Sequence, residues 1–471
     1  MVRFGIITFL CALTAVGDQT NATLSLESAI NTALSGNRDL ASLELDLNGR
    51  VLAAEQARYQ FAFNLRPIAA ASIQPESDFL RYGIEGSKQL PVGTEIGLGV
   101  RMDDSNSDEA GRTRSGAVFI DVSQPVFRDW GTLVNREGII EADNQIMAAR
   151  RLLELRKSDL IVQIVETMQG MLRLQRLLDY EALIIERYDR LARLTRAREK
   201  QGRATQVERL RVEFLMGQAE ARQANAREQL RSLQADFANQ LGISPEIELR
   251  PEETPDLRLA IPDRDTAVEL ARSNRLDYAQ ARQDVVDAQR GIAIAEKRLQ
   301  PALSVVGRYE RFGQGSSMND AWAMDEDGWT IGLSTDSDLL LRDERLGLRQ
   351  AALSEQTARL RIEDIDALIR RQVEQALSEC RRAEAERQIA ESNLDLATRR
   401  ANLSQRLFEK GRIDHTSATD AETELLDAQT QLLNTRAEAV IAGYRLLRIM
   451  GQLLDVPEEL KPSSVLIIED T

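Results

Sequence analysis

The stretch Lys200-Gln201-Gly202-Arg203 has a counterpart later in the chain, Glu409-Lys410-Gly411-Arg412. Gly202 and Gly411 lie 209 positions apart, and the same offset relates Gly242 to Gly451. Further pairs at this offset are Glu213 with Glu422, Ala219 with Ala428, Asn225 with Asn434 and Arg227 with Arg436. Similarity at a fixed offset indicates that the chain contains two copies of one structural unit.

Two more pairs of segments extend the repeat towards its beginning. Residues 34–38 parallel residues 271–275, and Phe127-Arg128-Asp129 parallels Leu341-Arg342-Asp343 before a long charged segment. Prolines at 251, 255 and 262 mark a linker between the halves. We therefore predict a first repeat over residues 18–250, a linker over 251–261, a second repeat over 262–455 and a C-terminal tail over 456–471.

Each half is predicted to contain a short helix, strands, a long helix, a glycine turn and a further helix. The predicted helices cover about 25–62, 135–200 and 205–241, then about 264–299, 344–410 and 414–451. A helix of about 65 residues is near 100 Å long and is stable only in a coiled coil or bundle. The last helix has a heptad seam of residues three and four apart. Its members are Leu425, Ala428, Leu432, Thr435, Ala439, Ala442, Leu446 and Ile449.

Between the helices, the hydrophobic period changes from 3.6 to 2. Apolar residues alternate with small, polar or charged ones at 96–100, 118–122, 303–305 and 329–333. A membrane β-barrel has this pattern, and so does the half-buried sheet of a soluble protein. Polar loops at 103–114 and 313–327 favour the membrane alternative. Candidates for an aromatic girdle, or for simple core residues, are Tyr309, Phe312, Trp322 and Trp329.

The number of strands constrains the assembly. They are predicted within residues 66–125 and 301–338, two in each half. Four strands cannot close a barrel because bacterial barrels have at least about eight, so a barrel would require several copies of the chain, and three copies would supply twelve strands. Residues 79–102, with a turn at Leu90-Pro91-Val92-Gly93, are a candidate extra hairpin that would change this count.

Composition excludes several classes of function. Acidic residues outnumber basic ones by 75 to 60, which disfavours nucleic acid as a partner. His415 is the only histidine, so a multi-histidine metal site cannot form and a Ser-His-Asp triad would depend on this one residue. We therefore predict no catalytic residues, no metal and no cofactor.

The N-terminal residues resemble an export signal. Residues 1–17 contain Arg3, then an apolar stretch, then small residues suited to cleavage. If Cys11 is removed with the signal, Cys380 is left alone and no intramolecular disulfide can form. No later segment has the roughly 20 apolar residues that a membrane-spanning helix requires.

The order of these features resembles the TolC family of outer-membrane efflux proteins. The marks are the duplicated helices and glycine turns, Ser123-Gln124-Pro125-Val126-Phe127 at a strand end, and Phe408–Gly411 followed by Asp420-Ala421. The resemblance covers residues 24–455. It implies a mainly α fold with a β-barrel portion, in which a long α-helical coiled-coil tunnel continues from membrane strands in a trimeric, twelve-stranded barrel.

The resemblance also implies a function and partners. It implies a passive exit duct in the outer membrane of a Gram-negative bacterium, surrounded by outer-membrane lipid and extending into the periplasm. Such a duct receives substrates from a periplasmic membrane-fusion adaptor and an inner-membrane pump, in a tripartite efflux or type I secretion system. Two alternatives remain open at this point: a periplasmic coiled-coil adaptor or scaffold, and a secreted enzyme with a helical insert.

The periplasmic tips of this family carry acidic residues that narrow the pore. Asp420, nine residues after Gly411, occupies a matching position, whereas the acidic position six after that glycine is Ser417 here. Glu208 matches it in the first half, and Asp414 is a candidate substitute in the second. Alternatively, Asp420 is a charge near a helix start that the helix dipole favours. The predicted adaptor-docking turns contain Gly202, Arg203, Gly411 and Arg412.

Overall fold

The computed structural model describes residues 21–74, 77–107, 111–202, 204–246, 248–252, 260–336 and 340–462. The predicted export signal, Arg203, most of the predicted linker and the end of the predicted tail lie outside these residues. Among the helices within these ranges, none is long and apolar enough to cross a membrane.

Along the chain, the first half has helices before and after a block of strands. In chain order these are β1 (Asn21–Leu24), α1 (Leu26–Gly36), α2 (Arg38–Arg58), β2 (Asn64–Gln74), β3 (Ser77–Gln89), β4 (Glu95–Ser107) and β5 (Gly111–Pro125). They are followed by α3 (Thr132–Asn135), α4 (Glu137–Lys200), α5 (Gln206–Leu241) and β6 (Glu248–Pro251). At 64 residues, α4 has the length that the sequence predicted.

The second half repeats this order with fewer strands. Its elements are α6 (Arg264–Asn274), α7 (Leu276–Arg298), β7 (Leu303–Gly315), α8 (Met318–Ala323), β8 (Glu326–Thr335), α9 (Arg342–Glu409) and α10 (His415–Ile449). The helices predicted at 25–62 and 264–299 are each divided in two, because Asn37 and Arg275 have extended backbone conformations. The predicted loop at 313–327 contains the short helix α8 and the start of β8.

The chain divides into two compact units. One, the helical unit, comprises residues 1–43, 152–276 and 366–457, and the other, the sheet unit, comprises 44–151, 277–365 and 458–471. The helical unit has a core formed by α4, α5 and α10. Its buried members include Ile184, Tyr188, Ala192, Val212, Ala219 and Leu426.

The heptad seam predicted for α10 is confirmed by its burial. Each of the eight seam positions is buried or half-buried, and Leu446 is only 1% exposed. An ion pair between a buried carboxylate and an exposed arginine also joins α4 to α5. Glu181 is 1% exposed, and its Oε1 accepts a hydrogen bond of 2.6 Å from Nε of Arg222. The helical unit therefore combines apolar packing with a specific polar contact between neighbouring helices.

Glycines end α5 and α10 against other helices of the helical unit. Gly242 has φ +71°, and a Cβ added there would lie 1.9 Å from the carbonyl oxygen of Gly36. Gly451 has φ +69°, and a Cβ there would lie 2.8 Å from Cβ of Asn274. The end of α5 thus contacts the break between α1 and α2, and the end of α10 contacts the equivalent break between α6 and α7.

The sheet unit contains one six-stranded antiparallel sheet in the order β2-β3-β4-β5-β7-β8. Pairing between β5 and β7 joins the strands of the two halves, and β2 and β8 are the edges. The prediction of two strands in the first half is wrong, because that half contributes four to this sheet. The candidate hairpin at 79–102 is present as β3 and β4.

The loop predicted at 103–114 is mostly strand, because its charges are paired across the sheet. Asp103 accepts a hydrogen bond of 2.7 Å from Nε of Arg81 on β3. Asp104 accepts hydrogen bonds of 2.6 Å and 3.1 Å from Arg112 and Arg114 on β5. Paired acidic residues extend the β4–β5 ladder to Ser107, where the sequence alone suggested an exposed polar loop.

Candidate functional site

One face of the six-stranded sheet, here called the apolar face, carries aligned apolar side chains. Ile84, Val100 and Val118 oppose each other on β3, β4 and β5, and each is exposed. On the edge strand β8, Trp329 and Ile331 are 73% and 72% exposed. A continuous exposed surface of this kind marks contact with a membrane or another protein. A second row crosses the face through Leu98, Ile120, Tyr309 and Trp329.

The opposite face, here called the polar face, carries glycines and paired charges. Nε of Arg308 donates a hydrogen bond of 2.6 Å to Asp121. The guanidinium carbons of Arg101 and Arg308 lie 5.9 Å and 4.9 Å from the centre of the Phe119 ring. Gly99 leaves room for this ring, because a Cβ there would lie 2.6 Å from its Cζ. Charges that are paired in this way suit contact with water.

The structure separates the four predicted girdle aromatics. Tyr309 and Trp329 are direct partners on the apolar face and are both exposed. Phe312 has the opposite parity in β7 and therefore belongs to the polar face. Trp322 of α8 is 52% exposed and lines an apolar groove of about 780 Å³ with Tyr82 and other residues of β2 to β5.

In the helical unit, the two glycine turns have the same backbone geometry. Gly202 and Gly411 have φ of +68° and +67°, and no atom lies within 4 Å of a Cβ added at either position. Three residues later, Thr205 and Asp414 are the N-caps of α5 and α10. The repeat therefore extends to the caps, because Thr205 and Asp414 are also 209 residues apart.

Two of the predicted acidic residues bind the backbone of their own turns. Asp414 accepts a hydrogen bond of 3.0 Å from the backbone N–H of Ser417. Glu208 accepts one of 2.8 Å from the N–H of Thr205, whose hydroxyl accepts from the N–H of Glu208 in return. This reciprocal arrangement is a capping box, which stabilises a helix start.

Asp420 is placed differently, because its contact is with another helix. Its side chain is exposed, and Oδ1 lies 3.7 Å from Nη2 of Arg211 on α5. Arg211 and Asp420 are equivalent residues of the two repeats.

A second contact near the turns joins α4 to α9. The guanidinium carbon of Arg198 lies 4.3 Å from the centre of the Phe408 ring, and Arg198 donates a hydrogen bond of 3.3 Å to the carbonyl oxygen of Phe408. Arg412 is exposed.

The sequence did not predict a network of arginines and carboxylates on α4, α5 and α10, near the glycine turns. Glu213 accepts hydrogen bonds from Arg196 at 2.7 Å and Arg209 at 2.9 Å. These hydrogen bonds, from Arg196 first and then Arg209, hold the pKa of Glu213 below its ordinary value. Glu422 binds Arg187 of α4. The sequence feature that could have revealed this network is the match of Glu213 with Glu422, which are 209 positions apart.

The residues able to bind metals, and the cysteine of the described part of the chain, are placed as follows. No group of three or more His, Cys, Asp or Glu residues there is placed to hold a metal ion. Cys380 is buried, and its thiol contacts the carbonyl oxygen of Ala442 at 3.2 Å. Burial raises the pKa of this thiol to about 11, so it is protonated at neutral pH.

Comparison with known proteins gives one family match. Residues 267–452 match the family described as "Outer membrane efflux protein". Among curated proteins, none matches the sequence significantly.

Several solved structures have a similar fold. The outer-membrane channel OprN is 18% identical, with a TM-score of 0.71 over 91% of this chain and 90% of that one. The outer membrane protein VceC from Vibrio cholerae is 16% identical, with a TM-score of 0.69 over 90% and 96%. The CmeC outer membrane channel of Campylobacter jejuni is 11% identical, with a TM-score of 0.71 over 94% and 91%. At these identities the likeness concerns the fold.

Proposed function

We propose that this chain, whose residues 267–452 match the outer membrane efflux protein family, is the exit duct of an efflux or secretion system. It conducts substrates passively across the outer membrane of a Gram-negative bacterium, with its helices in the periplasm. The duct itself performs no chemical step. Transport is driven by an inner-membrane pump, to which a periplasmic membrane-fusion adaptor connects the duct.

The observation that carries this proposal is the two-faced sheet. Its apolar face suits lipid, while its polar face carries Arg81, Arg101 and Arg308 in ion pairs with Asp103 and Asp121. A transmembrane β-barrel needs this combination, because lipid-facing and water-facing side chains alternate along each strand. A single chain has two open edges, at β2 and β8, so closure requires further copies. We infer a homotrimer.

Membrane fractionation tests this function most directly. The full chain, expressed in a Gram-negative host, is expected in the outer-membrane fraction as a trimer that dissociates on heating in detergent. Deletion of its gene in the native host is expected to reduce export and to be complemented by the wild-type chain. A soluble periplasmic monomer with no effect on export would contradict the proposal. That result would instead favour the periplasmic adaptor or scaffold, for which no feature of the sheet argues.

We further propose that the two glycine turns form the periplasmic tip. Gly202, Arg203, Gly411 and Arg412 then lie where an adaptor docks. Of the three predicted gate residues, Asp420 is the strongest candidate, because Asp414 and Glu208 bind the backbone of their own turns, whereas Asp420 is exposed and lies 3.7 Å from the exposed Arg211. In a trimer, three copies of Asp420 would surround one axis. A ring of carboxylates concentrates cations by electrostatic focusing.

Single-channel recording tests the proposed gate. Asp420→Ala is expected to reduce cation selectivity and to weaken block by multivalent cations, because the ring loses its charge. Asp395→Ala is the control, since Asp395 lies within α9 and pairs with Arg399 of the same helix at 2.7 Å. Wild-type selectivity and block in both variants would assign Asp420 to helix stabilisation alone.

A further inference from the structure

The first half contains a β-hairpin with no counterpart in the second. In both halves one strand follows the short helices, as β2 follows α2 and β7 follows α7. In both halves another strand precedes the repeated segment, as β5 precedes Phe127–Asp129 and β8 precedes Leu341–Asp343. The hairpin of β3 and β4 is therefore an insertion into the repeat, and α8 lies at the equivalent place in the second half.

This hairpin is a continuous part of the sheet. Its first strand pairs with β2 from Ser77 to Ser87, and its second strand pairs with β5 from Glu95 to Ser107. Its turn is fixed to the segment that follows β5, since the N–H of Gly131 donates a hydrogen bond of 3.0 Å to the carbonyl of Val92. Gln89 also donates a hydrogen bond of 3.1 Å to the side chain of Asn135. These contacts leave no room for a Cβ at Gly93, which would lie 2.5 Å from the carbonyl oxygen of Asp129.

Both faces of the sheet continue through the inserted hairpin. Tyr82, Ile84, Leu98 and Val100 extend the apolar face. On the polar face, Asp103 of the hairpin binds both Arg81 and Arg101, also of the hairpin. A loop that folded into the channel or over its mouth would need no apolar face. The pattern indicates that the hairpin is part of the wall between lipid and water.

We propose that this hairpin widens the assembled channel, so that three chains form an eighteen-stranded wall in place of a twelve-stranded one. The inference rests on the trimeric exit duct proposed above. Six antiparallel strands leave β2 and β8 running in opposite directions, so β8 of one copy can pair antiparallel with β2 of the next. Since barrel diameter grows roughly linearly with strand number, the diameter is about 1.5 times that of twelve strands. Barrels of roughly 16–18 strands enclose an aqueous channel.

Electron cryomicroscopy of the full-length trimer in lipid nanodiscs tests this inference. Eighteen strands in the wall, with β2 against β8 of the neighbouring copy, are the expected result. A trimer whose wall has twelve strands, with the hairpin outside it, would overturn the inference and leave the exit duct intact. Absence of any trimer in the outer membrane would count against both.

A variant lacking residues 77–107 gives a second measurement. Its β2 and β5 still run antiparallel, so three copies can close a twelve-stranded wall. Polyethylene glycols of graded size are added to the barrel side of a single channel, and the largest one that reduces conductance is recorded. The limiting polymer radius is expected to fall about 1.5-fold relative to the wild type. An assembled variant with an unchanged limit would overturn the proposal.

Discussion

At the scale of single residues, the same backbone conformation serves two different purposes. Gly202, Gly242, Gly411 and Gly451 all have φ between +67° and +71°. At Gly202 and Gly411 the surroundings are open, so glycine is required by the backbone alone. At Gly242 and Gly451 a neighbouring chain segment is also too close for a side chain. Replacing each glycine with alanine therefore distinguishes the cost of backbone strain, expected at all four positions, from the cost of a steric clash, expected at Gly242 and Gly451.

We expect Gly202→Ala and Gly242→Ala to differ in thermal stability. Alanine in the left-handed region costs about 1–2 kcal/mol, and Gly202→Ala should lose about this much. Gly242→Ala should lose clearly more, because its Cβ would lie 1.9 Å from the oxygen of Gly36. Thermal unfolding followed by circular dichroism measures both. Equal losses would show that the joint between α5 and the α1–α2 break relaxes easily.

Asp366 predicts a dependence of stability on pH. Nε of Arg272 donates a hydrogen bond of 2.7 Å to it, and this bond and that from Arg370 hold the pKa of Asp366 below its ordinary value. Because the folded-state pKa is depressed, the pair stabilises the fold above the unfolded-state pKa. That contribution is lost as pH falls through the folded-state pKa.

We therefore expect Asp366→Asn to lower the unfolding temperature at neutral pH and to match the wild type in strong acid. Asp395→Asn is the matched control on the same helix. Its partner Arg399 is 75% exposed, and exposed pairs contribute little. A deficit of Asp366→Asn that stays constant across the acid range would contradict this assignment.

At the scale of secondary structure elements, the two faces of one strand should tolerate charge differently. Ile331→Arg places a cation on the apolar face of β8, which costs about 2–4 kcal/mol near the middle of a membrane. Ser334→Arg places the same cation on the polar face, opposite the uncharged Ser304. We expect Ile331→Arg to reduce the amount of trimer in the outer membrane and Ser334→Arg to leave it nearly unchanged. Equal effects would contradict the assignment of faces.

Helices with a strong hydrophobic periodicity could be predicted from the sequence, whereas strands that depend on pairing with neighbouring strands were harder to predict. The α10 seam and the long helix α4 follow from repeated apolar positions and uninterrupted helix formers. The edge strand β2 was not counted, because its apolar-face positions include Ala69 and Ala71, which give little alternation. The ends of β4 and β5 looked like a loop, since Asp103 and Asp104 become compatible with a strand only when arginines pair with them.

The predicted site was located by the repeat, although its chemistry was only partly predictable. The offset of 209 residues identified both glycine turns and pointed to Glu213 and Glu422. It could not show that Asp414 and Glu208 are used as caps, because capping depends on which backbone N–H groups a turn leaves unpaired. Ion pairs between helices, such as Arg211 with Asp420, depend on packing that a sequence pattern does not specify.

At the scale of the whole molecule, assembly should depend on an exposed apolar stripe on α9. Ile389, Leu396 and Leu403 are seven residues apart and 58–61% exposed. Residues at heptad spacing share one helix face, which suits packing against a second copy. We expect Leu396→Glu to reduce the trimer yield in detergent while helix content is retained. Thr398→Glu, also exposed and off the stripe, should assemble normally. Normal trimers from both variants would exclude this face from the interface.

The paired glycines restrict how a helical hairpin of this kind can change length. Gly202 and Gly242 are forty positions apart, as are Gly411 and Gly451. Inserting one residue into α5 would rotate one end about 100° relative to the other, so that the turn and the joint could not both keep their contacts. An insertion of about seven residues completes two helical turns, so the residues on either side of it point in their original directions again. Viable descendants of this gene should therefore lengthen or shorten by whole heptads, with matching changes in the helices beside them.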